Sequence, residues 1–238
     1  MAEGEVVRSV SCAKHVTFLL LVNGTALSCG EAEFGLLGHA PPPPKERGGG
    51  GGGGRGGGDD DDDDDEWEEE IECVSELQLV VVPRNAQGML VQLCTASQHA
   101  AALTSDGRVI TWGNADGGRL GRKPKVGARG SSPSERTRAL SARAASDAHA
   151  RPSAVKFAIP DQNIVSVSAG GAHTLAVSAG GQLWLWGQIS ANLSYAVPRL
   201  VLGPKLGHAF FLRAHAGDWM TLAIAVPPSQ DFDDEGED

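Results

Sequence analysis

No apolar run in this sequence approaches the roughly 18 residues of a membrane span. Val16 to Val22 covers seven residues and suits a buried strand. The opening MAEGEVV has no basic region followed by an apolar core, so no secretory signal is expected. Cysteine is scarce, and Cys12, Cys29, Cys73 and Cys94 form no C-x-x-C pair. This predicts reduced thiols in apolar strands of a cytoplasmic and/or nuclear protein, rather than disulfides. The sequons Asn23-Gly24-Thr25 and Asn192-Leu193-Ser194 are then expected to stay unmodified. Catalytic signatures are missing as well: no G-x-S-x-G, no H-E-x-x-H, no Walker pattern and no paired carboxylates on an ordered element. These absences predict no catalytic residue, no cofactor, no metal ion and no enzyme.

Charge is present but segregated. The net −10 comes from two blocks, Asp59 to Glu72 with twelve acidic residues and Asp231 to Asp238 with six. The rest of the chain holds twelve acids against twenty bases, and ten of those bases fall between Arg119 and Lys156.

Glycine, by contrast, is abundant and periodic. QHAAALTSDGRVITWGNADGGRLG, Gln98 to Gly121, reads as a β-hairpin and a glycine-punctuated loop. His99 to Thr104 is one strand, Ser105-Asp106-Gly107 the turn, and Arg108 to Trp112 the returning strand. The spacing recurs. His99 stands eight before Gly107, with Gly113 six further on, and His173, Gly181 and Gly187 repeat those offsets. Gly24 and Gly30 are six apart, and Gly35 and Gly38 follow Gly30 as Gly118 and Gly121 follow Gly113. A fourth copy aligns Ala216 to Ala223 with Ala169 to Ala176, so that Gly217 matches Gly170. This is a repeat protein.

The units divide the chain as follows. Residues 1–39 form repeat 1, with Val7, Val10 and Val16 to Val22 as strand material; 73–122 form repeat 2, 155–190 repeat 3 and 191–226 a partial repeat 4. Strands are predicted at Leu77 to Val82 and Met89 to Leu93, at Val155 to Ile159 and Ile164 to Val167, and at Val197 to Leu202, Phe210 to Ala214 and Met220 to Val226. Three to four short strands per unit make a propeller blade. Residues 40–72, rich in Pro, Gly and Asp, read as a disordered, solvated insertion with neither a spaced calcium-loop pattern nor a phosphate loop. Residues 123–154 are a basic, Ser- and Ala-rich insertion without aromatics to stack bases, so a solvated loop is preferred to nucleic-acid contact. Residues 227–238 are an acidic tail.

The pattern V-x-C/A-G-x-x-H-T-x-x-L, a turn Gly, then W-G-x-x-x-x-G-x-L-G resembles the repeat of the regulator of chromosome condensation family. Trp112-Gly113 and Trp186-Gly187 match the W-G pair, and Cys29-Gly30 replaces its Trp. His99 and His173 match the family His, with Val16 and Met220 in that place in the first and fourth copies. The resemblance implies a β-propeller, commonly of seven blades, and some members act as guanine-nucleotide exchange factors for small GTPases.

The fold expected is all-β: propeller blades in a partial, open arc, short of seven, with two low-complexity insertions. Such an arc would assemble with a partner or another copy, or belong to a longer reading frame. Gly24, Gly30, Gly38, His99, Gly107, Trp112, Gly113, Gly121, Gly170, His173, Gly181, Trp186, Gly187 and Gly217 are expected to be structural repeat positions. For His99 and His173 that means a hydrogen bond tying a strand to a neighbouring turn. Trp112, Trp184 and Trp186 should pack between blades, although one facing outward would anchor a partner. His39, His149, His208 and His215 share no ligand spacing. The function expected is a non-enzymatic protein–protein interaction module, with nucleotide exchange on a small GTPase as the alternative and chromatin or nucleic-acid association as a second. Self-association through open blade edges is a further route, and no membrane partner is expected.

Overall fold

The computed structural model describes residues 5–31, 33–39, 73–83, 88–123, 151–202 and 209–226. The two insertions and the tail lie almost wholly outside these residues. The described chain is built of antiparallel strands and short turns, and none of its helical turns is long and apolar enough to cross a membrane.

Among the described residues, fourteen strands form four sheets. The first is β1 (Val7–Ala13), β2 (Val16–Leu21), β3 (Ala26–Glu31) and β4 (Cys73–Leu79). The second is β5 (Leu90–Thr95), β6 (His99–Thr104), β7 (Val109–Gly113) and β8 (Ser153–Ala154). The third is β9 (Ile164–Ala169), β10 (His173–Ser178), β11 (Leu183–Ser190) and β12 (Leu193–Leu200), and the fourth is the hairpin β13 (Phe210–Ala216) and β14 (Thr221–Val226). In each full sheet the strands lie in chain order, as a meander does.

The repeat and the blade are out of step. Cys73–Leu79 opens the second sequence repeat but pairs with β3, completing the first sheet. Likewise β12 pairs with β11, so the strand at the head of the fourth repeat closes the third sheet. The first sheet therefore takes its fourth strand from the second sequence repeat. Two expected strands moved. Val155 to Ile159 is a connection, and the outer strand of the second sheet is Ser153–Ala154, at the end of the basic insertion. Leu77 to Val82 is a strand only as far as Leu79. Part of each run fills the core instead, while Leu77, Leu79, Val81 and Ile159 stay exposed. Val80 and Val155 are buried, and Phe157 sets its ring edge-on to Trp184 and Trp186 at 5.3 and 6.0 Å.

The core lies between sheets, not within one. Val16, Phe18 and Leu20 of β2 meet Leu93, Ala100, Ala102 and Trp112 of the second sheet. Ala101 and Leu103 meet Val167, Ala176, Trp184 and Trp186 of the third. Leu175 and Val177 meet Phe211 and Ala214 of the fourth. Strand alternation explains this: odd positions of each second strand face the next sheet and even positions the previous one. Fully burying one Phe-sized side chain stabilises by roughly 2–3 kcal/mol, so these stripes hold the stack together.

Candidate functional site

The repeat positions form a lock that recurs at each junction. Gly30, Gly113 and Gly187 pair with Val16, His99 and His173 at φ between +98° and +118°, and at Gly30 and Gly187 the register with the fourth strand shifts, as at a β-bulge. A Cβ on Gly113 would lie 2.5 Å from the Gln98 carbonyl oxygen, which explains why only glycine fits. Immediately after the bulge, Glu31, Asn114 and Gln188 donate their N–H to the carbonyls of His15, Gln98 and Ala172. Gly24, Gly107 and Gly181 close the turns at the other end of the same hairpins.

The glycine loops receive the next blade. Trp112 Nε1 donates to the Leu36 carbonyl at 2.7 Å, and Trp186 Nε1 to the Arg119 carbonyl at 3.0 Å. Gly38 and Gly121 lie against those indoles: a Cβ would sit 3.0 Å from Trp112 Nε1 and 2.8 Å from Trp186 Nε1. Ser28 and Thr111 hydroxyls donate to the Leu37 and Leu120 carbonyls, fixing each loop on its own sheet.

The histidines act across the junction. His99 Nε2 is 2.9 Å from Thr174 Oγ1, and His173 Nε2 is 3.1 Å from Thr221 Oγ1. Thr174 in turn donates to the Arg119 carbonyl, so its oxygen accepts the His99 Nε2–H. The bond thus reaches a strand of the next blade, and only through its threonine the turn. Burial, with Arg119 and His173 nearby, pushes His99 down from 6.5 to about 3, so the ring is neutral. Burial also lowers His173, with Asp218 opposing. At the first junction both aligned positions are apolar: Val16 stands for the histidine and Ala100 for the threonine, and both belong to the one core cluster there. A third contact joins the inner strands. Ser11 and Ser168 hydroxyls accept the Thr95 and Ala216 N–H, and the Cys94 sulfur takes that of Ala169.

These residues are committed to packing. Trp112, Trp184 and Trp186 are all buried, and none faces outward. Among the described residues, no three His, Cys, Asp or Glu side chains gather as a metal site would require.

One exposed surface lies at the end of the blades where loops gather. The loops before each family-His position adjoin the exits of the third strands, and they line a hollow of about 330 Å³. Its walls are small: Ala13, Ala96, Ala169, Gly170 and Gly217, with Asp218 as the charged group. Asp218 lies directly over Gly171, where a Cβ would meet Oδ1. Beside it Trp219 is 70% exposed. Sequence reasoning missed this indole. The available signal was its position, just before Met220, where the other copies carry His15, Gln98 and Ala172. On the second blade the same end is held rigid by Arg119, whose Nη1 donates to Gln98 Oε1 and whose Nε donates to the Asp116 carbonyl, both at 2.8 Å.

Stacked four-stranded meanders, locked by recurring Trp, Gly and His-Thr contacts, define a β-propeller repeat architecture. Residues 106–177 match the family model of the regulator of chromosome condensation (RCC1) repeat. The chain is 29% identical over 115 residues to the RCC1 domain-containing protein RUG3, mitochondrial, of Arabidopsis thaliana, covering 47% of this chain and 20% of that protein. It is 34% identical over 98 residues to protein pim1 of Schizosaccharomyces pombe, covering 41% and 14%. Its fold is similar to that of Prp20p from Saccharomyces cerevisiae, described with its binding to Gsp1p and histones: TM-score 0.63, 16% identity, 94% of this chain and 44% of that one. Its repeats are RCC1-like, in sequence over residues 106–177 and in fold over most of the chain. The chain spans a fifth or less of the length of these two curated relatives.

Proposed function

We propose that the chain is a non-enzymatic protein–protein interaction module that binds its partner at the loop end, with Trp219 as anchor and Asp218 beside it. The observation that carries this is an exposed indole next in the chain to Asp218, which lines a hollow of small residues from four blades. A large, flat side chain next to a recess is what interface hot spots are made of, and tryptophan is enriched among them. The small walls admit a partner's side chain close to the backbone, and the carboxylate favours a basic one. Free thiols at Cys12, Cys29, Cys73 and Cys94 suit a reducing compartment, cytoplasm or nucleus.

Core histones and Ras-like GTPases are the first partners to test, because Prp20p binds histones and the GTPase Gsp1p. Binding of the full chain to each, measured by biolayer interferometry, should show one partner whose affinity falls at least about tenfold in Trp219→Ala. Equal binding by wild type and Trp219→Ala, or binding to neither class, refutes the loop-end reading. Nucleotide exchange is the second reading, favoured by the likeness to Prp20p. Faster release of fluorescent GDP from a GTPase on adding the chain would establish it in place of simple docking.

A further inference from the structure

The inter-blade contact is made three times among the described sheets and is half-made on the first and the fourth of them. Forward-facing residues of the second strands are covered wherever a next blade exists: Phe18 and Leu20 are 0% and 1% exposed, Leu175 and Val177 both 1%. The matching residues of β14, Leu222 and Ile224, are 64% and 52% exposed, and Met220 at the family-His position is 73% exposed. His215 stands where Ser11, Cys94 and Ser168 accept the next blade's N–H. The described hairpin of the fourth sheet therefore presents the forward stripe of a second strand with nothing described against it.

The first sheet presents the other half. Leu93, Val167 and Ala214 on the inner strands face the previous blade and are 7%, 2% and 2% exposed. Val10 holds the same position and is 56% exposed. It pairs with Leu19, Leu19 with Leu27 and Leu27 with Leu79, and paired residues share a face. One apolar row thus crosses all four strands. Thr17 occupies the place of Thr174 and Thr221, and Cys12 the place of the N–H donors Thr95, Ala169 and Ala216.

We propose that two copies of this chain associate head to tail, the forward face of β13–β14 on one packing against the rear face of β1–β4 on the other. The occupant is argued from continuity with the three internal junctions: the surface that covers a forward face in this chain is a rear face, and the chain carries one uncovered. The contact is heterologous, since the two surfaces differ. The chain covers 44% of each of two solved propellers, Prp20p and human WBSCR16, so two copies hold nearly a ring's worth of blades and the assembly closes as a dimer instead of growing. The strand positions Leu222 and Ile224 lie beyond the loop-end anchor Trp219, so different substitutions test this contact and the loop-end reading.

The test is sedimentation velocity of the full chain over a concentration series, with Leu222→Asp on the forward face and Val10→Asp on the rear face. Ile224→Asp and Leu79→Asp serve instead if either variant loses its circular dichroism or melting transition. Wild type is expected to dimerise and each variant alone to be monomeric. An equimolar mixture of the two should recover a mixed dimer, at least about tenfold weaker, because one intact junction remains. A wild type that stays monomeric overturns the proposal. So does a mixture that fails to recover pairing, which marks a symmetric contact. Association that survives both variants and disappears in high salt overturns it in favour of the charged insertions.

Discussion

At the residue scale, the His-Thr pair shows why repeats vary in couples. A buried polar atom is costly when its partner is removed, by roughly 1–3 kcal/mol, whereas replacing both partners is nearly neutral. The first junction is the natural double replacement, with Val16 and Ala100 at the two positions and both in its core cluster. Thr174→Val should accordingly destabilise by about 2 kcal/mol in urea unfolding, because His99 Nε2 loses its acceptor. His99→Val with Thr174→Ala should recover much of that loss. Additive single costs would show that the two side chains are not coupled. The same variants carry a pH signature. An unfolded histidine takes its proton near 6.5, while buried His99 resists to about 3. Between those values the unfolded chain holds the extra proton, so His99's contribution is full above 6.5 and is lost as pH falls, by about 1.4 kcal/mol per unit. The double variant should show a correspondingly flatter fall between pH 6.5 and 5, with His173 supplying what slope remains.

At the element scale, the hairpins make their demands through backbone shape. Gly113 sits at φ +102° with the Gln98 carbonyl where a Cβ would go, and a carbonyl within a paired loop has no room to retreat. Gly113→Ala should cost about 3 kcal/mol. Gly180, whose nearest neighbour to a built Cβ is 3.8 Å away, should accept alanine within about 0.5 kcal/mol. Equal melting temperatures for the two variants would remove the bulge from the explanation of the repeat. What was legible in the sequence follows the same division. Hairpin β6–β7 could be read because strand, turn glycine and bulge glycine are all local, and His99–Thr104 has the bounds its sequence suggests. The outer strands could not. Cys73–Leu79 and Ser153–Ala154 are strands because a distant edge pairs with them across an insertion, while Val80, Val155 and Phe157 are apolar because the connections beyond those strands tuck into the core. Apolar runs report burial, and there burial and strand parted. The loop-end surface was less legible still, since its walls are small residues and Trp219 gains meaning only from the hollow beside it.

At the scale of the whole molecule, each sheet touches its neighbours and little else, so stability should be distributed along the stack as in other repeat architectures. β6 and β10 are buried along their full length, covered by a sheet on either face. β1 and β14 are mostly exposed, each at an end of the stack with one covered face. Native-state amide exchange should therefore be graded, slowest in β6 and β10 and at least about a hundredfold faster in β1 and β14, because end sheets can open without separating the inner pair. If the two ends also meet between copies, raising the concentration should slow exchange in β1 and β14 together while leaving β6 and β10 unchanged. Slowing confined to one end would point to a partner face other than its complement. Uniform protection across all four sheets at every concentration would mean that the stack opens as one unit, and that the half-made contacts at its ends do not set the limits of its stability.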